Sequence, residues 1–314
     1  MKTVIKCLLV TGVLILPACS RFNRDPYADT PTSGIIKIAV DETFKPVAEA
    51  EVSVFAGIYR YSDITPLYHP ESDCFLLLMD DSVRLAITAR TLSPGEKERL
   101  WQRKIIARET KIATDGIALI VNRSNMDTVM SMSTFSDIVT GKTGLWSEIS
   151  PTSKPDSIIV VFDHNRSSLL RYVLDSVAGG KRIKGNLYAL DSNLDVVDYV
   201  SKHENALGLI GVSWISDQDD PQQLSFLKNV NVVSLSLKEP ATSDNSYKPY
   251  QAYLFNRSYP LTREVFAINA EPRNGLATGF TSFLASDKGQ RIILKSGILP
   301  ATAPVRVVNV RKEL

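Results

Sequence analysis

The stretch Ser33–Ala50, "SGIIKIAVDETFKPVAEA", joins an apolar strand to a helix through the polar residues Asp41, Glu42 and Thr43. Asp and Thr suit the start of a helix because their side-chain oxygens accept hydrogen bonds from its free backbone N–H groups. The same junction can also bind an anion, since those amides and the helix dipole both favour negative charge. Local sequence leaves both interpretations open.

Strand and helix patterns alternate along the rest of the chain, and most apolar runs lack strict period two. Such runs are typical of parallel strands covered on both faces, so we predict an α/β fold. Three further junctions repeat the geometry of the first, at "YHPESD" (68–73), "ITARTLSPGEKE" (87–98) and "VVFDHNRSSLLRYV" (160–173). Because the carboxyl ends of parallel strands converge at one edge, these junctions predict a ligand cleft.

The N-terminus has the features of a lipoprotein signal peptide over residues 1–18. Two lysines precede an apolar run from Cys7 to Leu16, which is too short to span a bilayer as a mature helix. Leu16-Pro17-Ala18-Cys19 resembles a bacterial lipobox, so we expect Cys19 to carry lipid, with an ordinary cleaved signal peptide as the alternative. Residues 19–33 predict a tether, and the mature protein is expected in the cell envelope, anchored to a membrane.

Composition excludes several classes of function. After loss of Lys2 and Lys6 the mature chain has 34 basic residues (36 minus 2) against 34 acidic ones, which argues against a nucleic-acid partner. The three histidines form no metal or catalytic motif, and the glycines form no phosphate-binding loop. We therefore expect a protein that is not an enzyme, has no cofactor or metal, and is a monomer.

Five segments, in order, resemble the periplasmic phosphate-binding proteins of phosphate ABC transporters, of the type II periplasmic binding protein superfamily. They are "DGIALIVNRSN" (115–125), "STFSDIVTGKTGLWSEI" (133–149), "ENALGLIGVSWI" (204–215), "YPLTREVFAIN" (259–269) and "FTSFLASDKGQRIILKSGILPA" (280–301). The resemblance implies two lobes, each a mostly parallel sheet flanked by helices. Lobe one would comprise residues 34–114 and 239–314, and lobe two residues 115–238.

The resemblance also implies where a ligand would bind. The matching positions are Thr43, Ser72, Ala89, Arg90, Asp115, Asn165, Ser167 and Ser168. Arg90 would supply a fork of donors, and Asp115 would accept a proton that the ligand still holds. At the first two turns Asp41, Glu42 and Glu71 replace small family residues, and each would repel a phosphate that it faced.

The expected function is a lipid-anchored solute-binding protein that captures phosphate or a related oxyanion for an ABC-type uptake system. An ABC permease or another envelope complex would be its protein partner. The alternative is the same fold with a degenerate cleft, acting as a sensor or interaction module of an envelope complex.

Overall fold

Strands alternate with helices through the computed structural model, which describes residues 27–216 and 228–302. The described strands are β1 (Ser33–Asp41), β2 (Tyr61–His69), β3 (Leu85–Thr88), β4 (Arg108–Asn122), β5 (Val129–Ser131), β6 (Ile159–Phe162), β7 (Leu187–Ala189), β8 (Ala206–Gly211), β9 (Val230–Val232), β10 (Ser234–Ser236), β11 (Thr262–Asn269) and β12 (Leu299–Pro300). The described α-helices are α1 (Lys45–Ile58), α2 (Glu71–Met79), α3 (Pro94–Gln102), α4 (Met132–Thr140), α5 (Ser168–Tyr172), α6 (Asn193–Lys202), α7 (Gln251–Phe255), α8 (Leu276–Leu284) and α9 (Asp287–Lys295).

Strand β4 is the longest strand described and joins two sheets. Its first part pairs antiparallel with β11 up to Gly116, in the order β2-β1-β3-β11-β4, and this sheet belongs to lobe one. Its second part, from Ile117, pairs with β8 in the order β4-β8-β6-β7, and this sheet belongs to lobe two. Strands β1, β2 and β3 pair in parallel, as do β6, β7 and β8. The predicted two-lobe α/β fold is confirmed.

Two large hydrophobic clusters fill the molecule. One runs from the lobe-one strands and α1 across the seam to Val212 and Trp214, so the two lobes share apolar packing. The other lies in lobe two and includes Leu254, Tyr259 and Leu261. Leu254, Tyr259 and Leu261 therefore pack on lobe two, whereas Gln251 beside them donates to the Leu294 and Ile298 carbonyl oxygens of lobe one. The lobe boundaries expected from the sequence remain a prediction.

Polar residues start the helices as their positions predict. The Asp41 carboxylate accepts the Thr43 backbone N–H at 3.1 Å, and Ser167 caps α5 by accepting the Leu170 N–H at 3.2 Å. Helix α5 is followed directly by a wider π-helical turn, Val173–Val177. These caps hold the loops that face the seam between the lobes.

Some predictions fall outside the described residues. They are the signal peptide, Cys19, most of the tether, and the strand predicted over "VRVVNV". Within residues 27–216 and 228–302, the helices are all too short or too polar to cross a lipid bilayer.

Candidate functional site

Two aspartates meet where the central strands of the lobes end. Asp41 is the last residue of β1, and Asp163 directly follows β6. Thr43 lies between them, with its hydroxyl 3.0 Å from Asp41 Oδ1 and 3.2 Å from Asp163 Oδ2. All three side chains are buried, at 2% exposure or less. The first and fourth junctions predicted from the sequence therefore converge on one another across the seam.

The contact between Thr43 and the two aspartates requires a proton on one of the carboxyl groups. The Thr43 hydroxyl has one hydrogen and can donate it to only one carboxylate at a time, so the second contact requires a proton on an aspartate. Burial raises the pKa of Asp41 to about 7, with repulsion from Glu71 and Asp163 adding to the effect and Arg263 opposing it. Burial also raises the pKa of Asp163. The centre of the seam thus holds Asp41, with a pKa near neutral pH, beside Asp163, whose pKa burial also raises.

A buried arginine lies beside this centre. Arg263 on β11 is opposite Asp115 on β4, and its Nε and Nη2 donate to Asp115 Oδ2 at 3.0 and 2.9 Å. Its Nη1 donates to Ser168 Oγ of lobe two at 2.6 Å, and its guanidinium lies 4.8 Å from the centre of the Phe44 ring. Asp115 is fully buried and Arg263 is 5% exposed. Burial raises the pKa of Asp115, although the arginine acts in the opposite direction.

The second junction contributes Glu71, which is 2% exposed. Its Oε1 accepts the Ala89 backbone N–H at 2.9 Å. Its Oε2 accepts Arg171 Nε of lobe two at 2.6 Å, and Arg171 Nη2 lies 3.2 Å from Oε1. Donors from both lobes therefore surround this single carboxylate.

Arg90 is bound mainly by Glu96, beside the centre of the seam, and its Nε also lies 4.0 Å from Glu71 Oε2. Its Nη1 and Nη2 donate to the two carboxylate oxygens of Glu96 at 2.8 Å each, and Nη1 also reaches the Thr91 carbonyl oxygen at 2.9 Å. Its guanidinium stacks 3.6 Å from the centre of the Phe75 ring. The guanidinium N–H groups of Arg90 that the resemblance assigns to a ligand donate here to Glu96, a carboxylate of the chain itself.

Three more contacts close the seam. Glu42 of lobe one accepts the Asn193 side-chain amide of lobe two at 2.5 Å, and burial raises its pKa to about 7. Trp214 Nε1 donates to the Thr43 carbonyl oxygen at 2.9 Å. A Cβ at Gly211 would lie 2.6 Å from Thr43 Cγ2, so only glycine allows β8 to approach the Thr43 turn this closely. The lobes are in direct, closed contact.

The structure gathers some of the predicted ligand positions and separates others. Thr43, Asp115, Ser167 and Ser168 lie in the buried centre, and the Ala89 N–H faces Glu71 at its side. Ser72 and Asn165 are exposed, and both the backbone N–H and the hydroxyl of Ser72 point to the Arg166 carbonyl oxygen at 3.4 and 3.3 Å. The ligand roles of these eight positions remain predictions.

Sequence reasoning missed the groups that complete this site. They are Asp163, Arg171, Asn193, Trp214 and Arg263. The signal for Arg263 was present, because "PLTREVFAIN" places two adjacent charged residues, Arg263 and Glu264, in one strand. Adjacent side chains point to opposite faces of a sheet, so a strand covered on one face would bury one of the two charges, and a buried charge requires a partner. The other four lie in a loop, in short helical turns and at a helix start, where sequence alone offers no such signal.

The centre of the seam is rich in acceptors. Three carboxylate oxygens, Asp41 Oδ2, Asp115 Oδ1 and Asp163 Oδ1, are buried without a well-formed hydrogen bond, although donors of Ser168, Gly116 and His164 act on their carboxyl groups. A proton of the chain, or a ligand that carries O–H or N–H groups, would satisfy these oxygens fully. In the described parts of the chain, no cluster of His, Cys, Asp or Glu side chains has the arrangement of a metal site. The arrangement suits non-covalent binding of a small protonated solute.

Two α/β lobes closed over a buried polar centre are the architecture of the type II periplasmic-binding-protein fold. A family model described as "PBP superfamily domain" matches residues 25–288, and the chain belongs to this superfamily. The resemblance noted in the sequence is confirmed at this level.

Individual relatives are more distant. The chain is similar to the phosphate-binding protein PstS of Staphylococcus epidermidis, with 26% identity over 210 residues, covering 64% of this chain and 59% of that protein. It is 24% identical over 284 residues to PstS of Staphylococcus aureus, covering 89% and 82%. The structure resembles a Clostridium perfringens protein assigned to a phosphate ABC transporter as its substrate-binding protein and solved with bound phosphate. That match has a TM-score of 0.71 and 23% identity, and covers 86% of this chain and 100% of the other. These relatives are binding proteins, which confirms the prediction that the chain is not an enzyme.

Proposed function

We propose that the protein is a lipid-anchored solute-binding protein that captures phosphate, or a related oxyanion, between its lobes for an ABC-type uptake system. One observation carries the proposal: the Thr43 hydroxyl of lobe one reaches Asp163 of lobe two, and Arg263, paired with Asp115, donates to the Ser168 hydroxyl of lobe two. The names of the staphylococcal relatives support the same ligand. The lipid anchor rests on the lipobox-like residues that end at Cys19.

The chemistry of the seam favours an anion that still holds protons. Hydroxyls of Thr43, Ser167 and Ser168 would donate to the anion, and Arg263 would supply positive charge. Asp115, whose pKa is raised by burial, would accept a proton from the ligand. Near neutral pH phosphate has such a proton and sulfate does not, so the same carboxylate would exclude sulfate.

A second candidate function is supported by a different observation. The carboxylates of Glu71 and Glu96 already occupy the forks of Arg171 and Arg90, and the lobes are closed around them. A protein of this kind would not need a small ligand and would act as a sensor or interaction module of an envelope complex.

Calorimetric titration of the purified protein with phosphate and with sulfate tests the proposal. We expect phosphate to bind and sulfate not to bind, and Asp115→Asn to weaken phosphate binding while admitting sulfate. Asp198→Asn is the control, because Asp198 lies on α6 with a side chain 61% exposed. If neither anion binds the wild-type protein, the oxyanion proposal fails and the second candidate stands.

A further inference from the structure

The N-terminal turn of α2 contains Glu71, and the donors around its carboxylate resemble a binding site for a free anion. Glu71 is 2% exposed, yet both of its carboxylate oxygens have donors. The Ala89 backbone N–H belongs to lobe one, and the Arg171 guanidinium belongs to lobe two. A backbone amide combined with a guanidinium fork is the donor set by which proteins recognise carboxylates and oxyanions.

We propose that Glu71 is a built-in anion, which fills a small-anion site formed by the Ala89 N–H and Arg171 and thereby holds the lobes closed. The site takes a small carboxylate or oxyanion whenever the Glu71 carboxylate is absent from it. We call this group of three residues the Glu71 latch. It goes beyond the proposed function, because it specifies a second anion position, what occupies it, and what that occupant does to the seam.

Contacts of the two residues that follow Glu71 hold the same turn against lobe two. Asp73 pairs with Arg166 through two contacts of 2.7 and 2.8 Å. The Ser72 backbone N–H points to the Arg166 carbonyl oxygen at 3.4 Å. The Asp73–Arg166 pair is at the rim, with Arg166 53% exposed, whereas Glu71 lies inside. Since exposed pairs contribute little, the rim pair is a matched control for the buried one.

The charge of Glu71 also acts on the proposed ligand centre. Glu71 is one of the charges that raise the pKa of Asp41, so its negative charge reaches the buried centre. A second anion entering the seam would meet this charge and would bind more weakly. Glu71 therefore sets how readily the centre accepts an anion. This consequence, unlike the latch itself, rests on the proposed function.

Chemical rescue tests the latch. Glu71→Ala removes the carboxylate but leaves the Ala89 N–H and Arg171 in place. We expect its melting temperature to fall by about 5 °C. Added sodium formate should then raise it again in a concentration-dependent way, compared with sodium chloride at equal ionic strength. Wild type should show no such formate effect, because the site is filled, and the double variant Glu71→Ala, Arg171→Ala should show none because the fork is lost.

Asp73→Ala is the control variant. Formate should not raise its melting temperature, since the partner of Asp73, Arg166, is largely exposed. Equal formate shifts in wild type, Glu71→Ala and Asp73→Ala, or no shift in any of them, would overturn the latch. If Glu71→Ala does not fold, Glu71→Gln replaces it in small-angle scattering without ligand. A radius of gyration larger than that of wild type supports the latch, and an unchanged one overturns it.

Titration of Glu71→Gln with phosphate separates the two proposals. If the centre binds phosphate, Glu71→Gln should bind it about tenfold more tightly than wild type, because one facing negative charge is gone. If phosphate binds neither protein but formate rescues Glu71→Ala, the proposed function fails and the latch stands. If phosphate binds but formate does not rescue Glu71→Ala, the proposed function stands and the latch fails.

Discussion

Two glutamates of lobe one are almost equally buried, but one has no hydrogen-bond partner and the other has several. Glu51 on α1 is 0% exposed, and neither of its carboxylate oxygens has a hydrogen-bond partner. It faces a small cavity lined by apolar groups such as Phe44, Ile87 and Ile293, and burial raises its pKa to about 9. Glu71 is 2% exposed but is bonded to donors from both lobes.

The difference shows that burial alone does not mark a functional carboxylate in this protein. Both residues lie on helices next to the lobe-one sheet, and both are removed from water. Glu51 is enclosed by one lobe, and only protonation can remove the cost of burying its charge. Glu71 is enclosed by two lobes, and the charge of Arg171, with a more distant contribution from Arg90 at 4.0 Å, compensates its own. The second kind of burial links a side chain to the relative position of the lobes, while the first affects only the stability of the core.

The largest effect is expected at a third buried carboxylate, Asp115, when its partner is removed. Arg263→Met would leave Asp115 fully buried with a charge and no cation, a situation that typically costs about 3–5 kcal/mol. Urea denaturation at pH 7 measures this change. Adding Asp115→Asn to Arg263→Met should recover part of the loss, because the uncompensated charge disappears.

A neighbouring pair serves as the control for Arg263. Lys111 and Glu264 lie on the same two strands, but their side chains are 39% and 55% exposed. Lys111→Met should change stability by less than about 1 kcal/mol. A loss equal to that of Arg263→Met would show that the position in the strand, and not the buried charge, determines the cost.

The next largest effect is expected at Glu71. Glu71→Gln keeps an acceptor for the Ala89 N–H but loses the charge that faces Arg171, so we expect a loss of about 1.5–3 kcal/mol. Thermal denaturation at pH 7, with Asp73→Asn as the exposed comparison, measures it. A gain in stability would place Glu71 in the same class as Glu51 and remove the contrast between them.

Glu51→Gln should have the opposite sign and a dependence on pH. The pKa of Glu51 in the folded protein, about 9, lies above its ordinary value of 4.5. The protonated side chain therefore stabilises the fold fully below pH 4.5, and this contribution is lost progressively as pH rises towards 9. Between pH 6 and 8 wild type should lose about 1 kcal/mol per pH unit relative to Glu51→Gln. Parallel stability curves for the two proteins between pH 5 and 9 would contradict this.

Much of the fold was predictable from the sequence, because its signals are local and repeated. The apolar runs at Ile36–Val40, Leu85–Ile87 and Val160–Phe162 lie in parallel strands, as their lack of period two indicated. The polar junctions after them start helices and face the seam.

The partners of the site residues were not predictable, because they are set by tertiary contacts over large sequence separations. Glu71 and Arg171 are 100 positions apart, and Asp115 and Arg263 are 148 apart. The sequence showed that Glu71 replaces a small residue, and repulsion of an anion was the natural expectation. It did not show that an arginine of the other lobe would face this carboxylate.

The smallest effect is expected at Arg90, and it tests the part of the site for which sequence and structure differ most. The resemblance assigns Arg90 to the ligand, which predicts a ten- to hundredfold loss of phosphate affinity in Arg90→Ala. In the closed structure its fork is filled by Glu96, and the pair is partly exposed, at 29% and 20%. Arg90→Ala should therefore lower stability by about 1 kcal/mol, through the lost pair and the lost stacking on Phe75, and change phosphate affinity less than about threefold. Calorimetric titration alongside wild type measures the affinity, and Arg99→Ala, on the exposed side of α3, is the control. A tenfold or greater loss would show that Arg90 exchanges Glu96 for the ligand when the lobes open, and that the closed seam seen here has two anion positions in use rather than one.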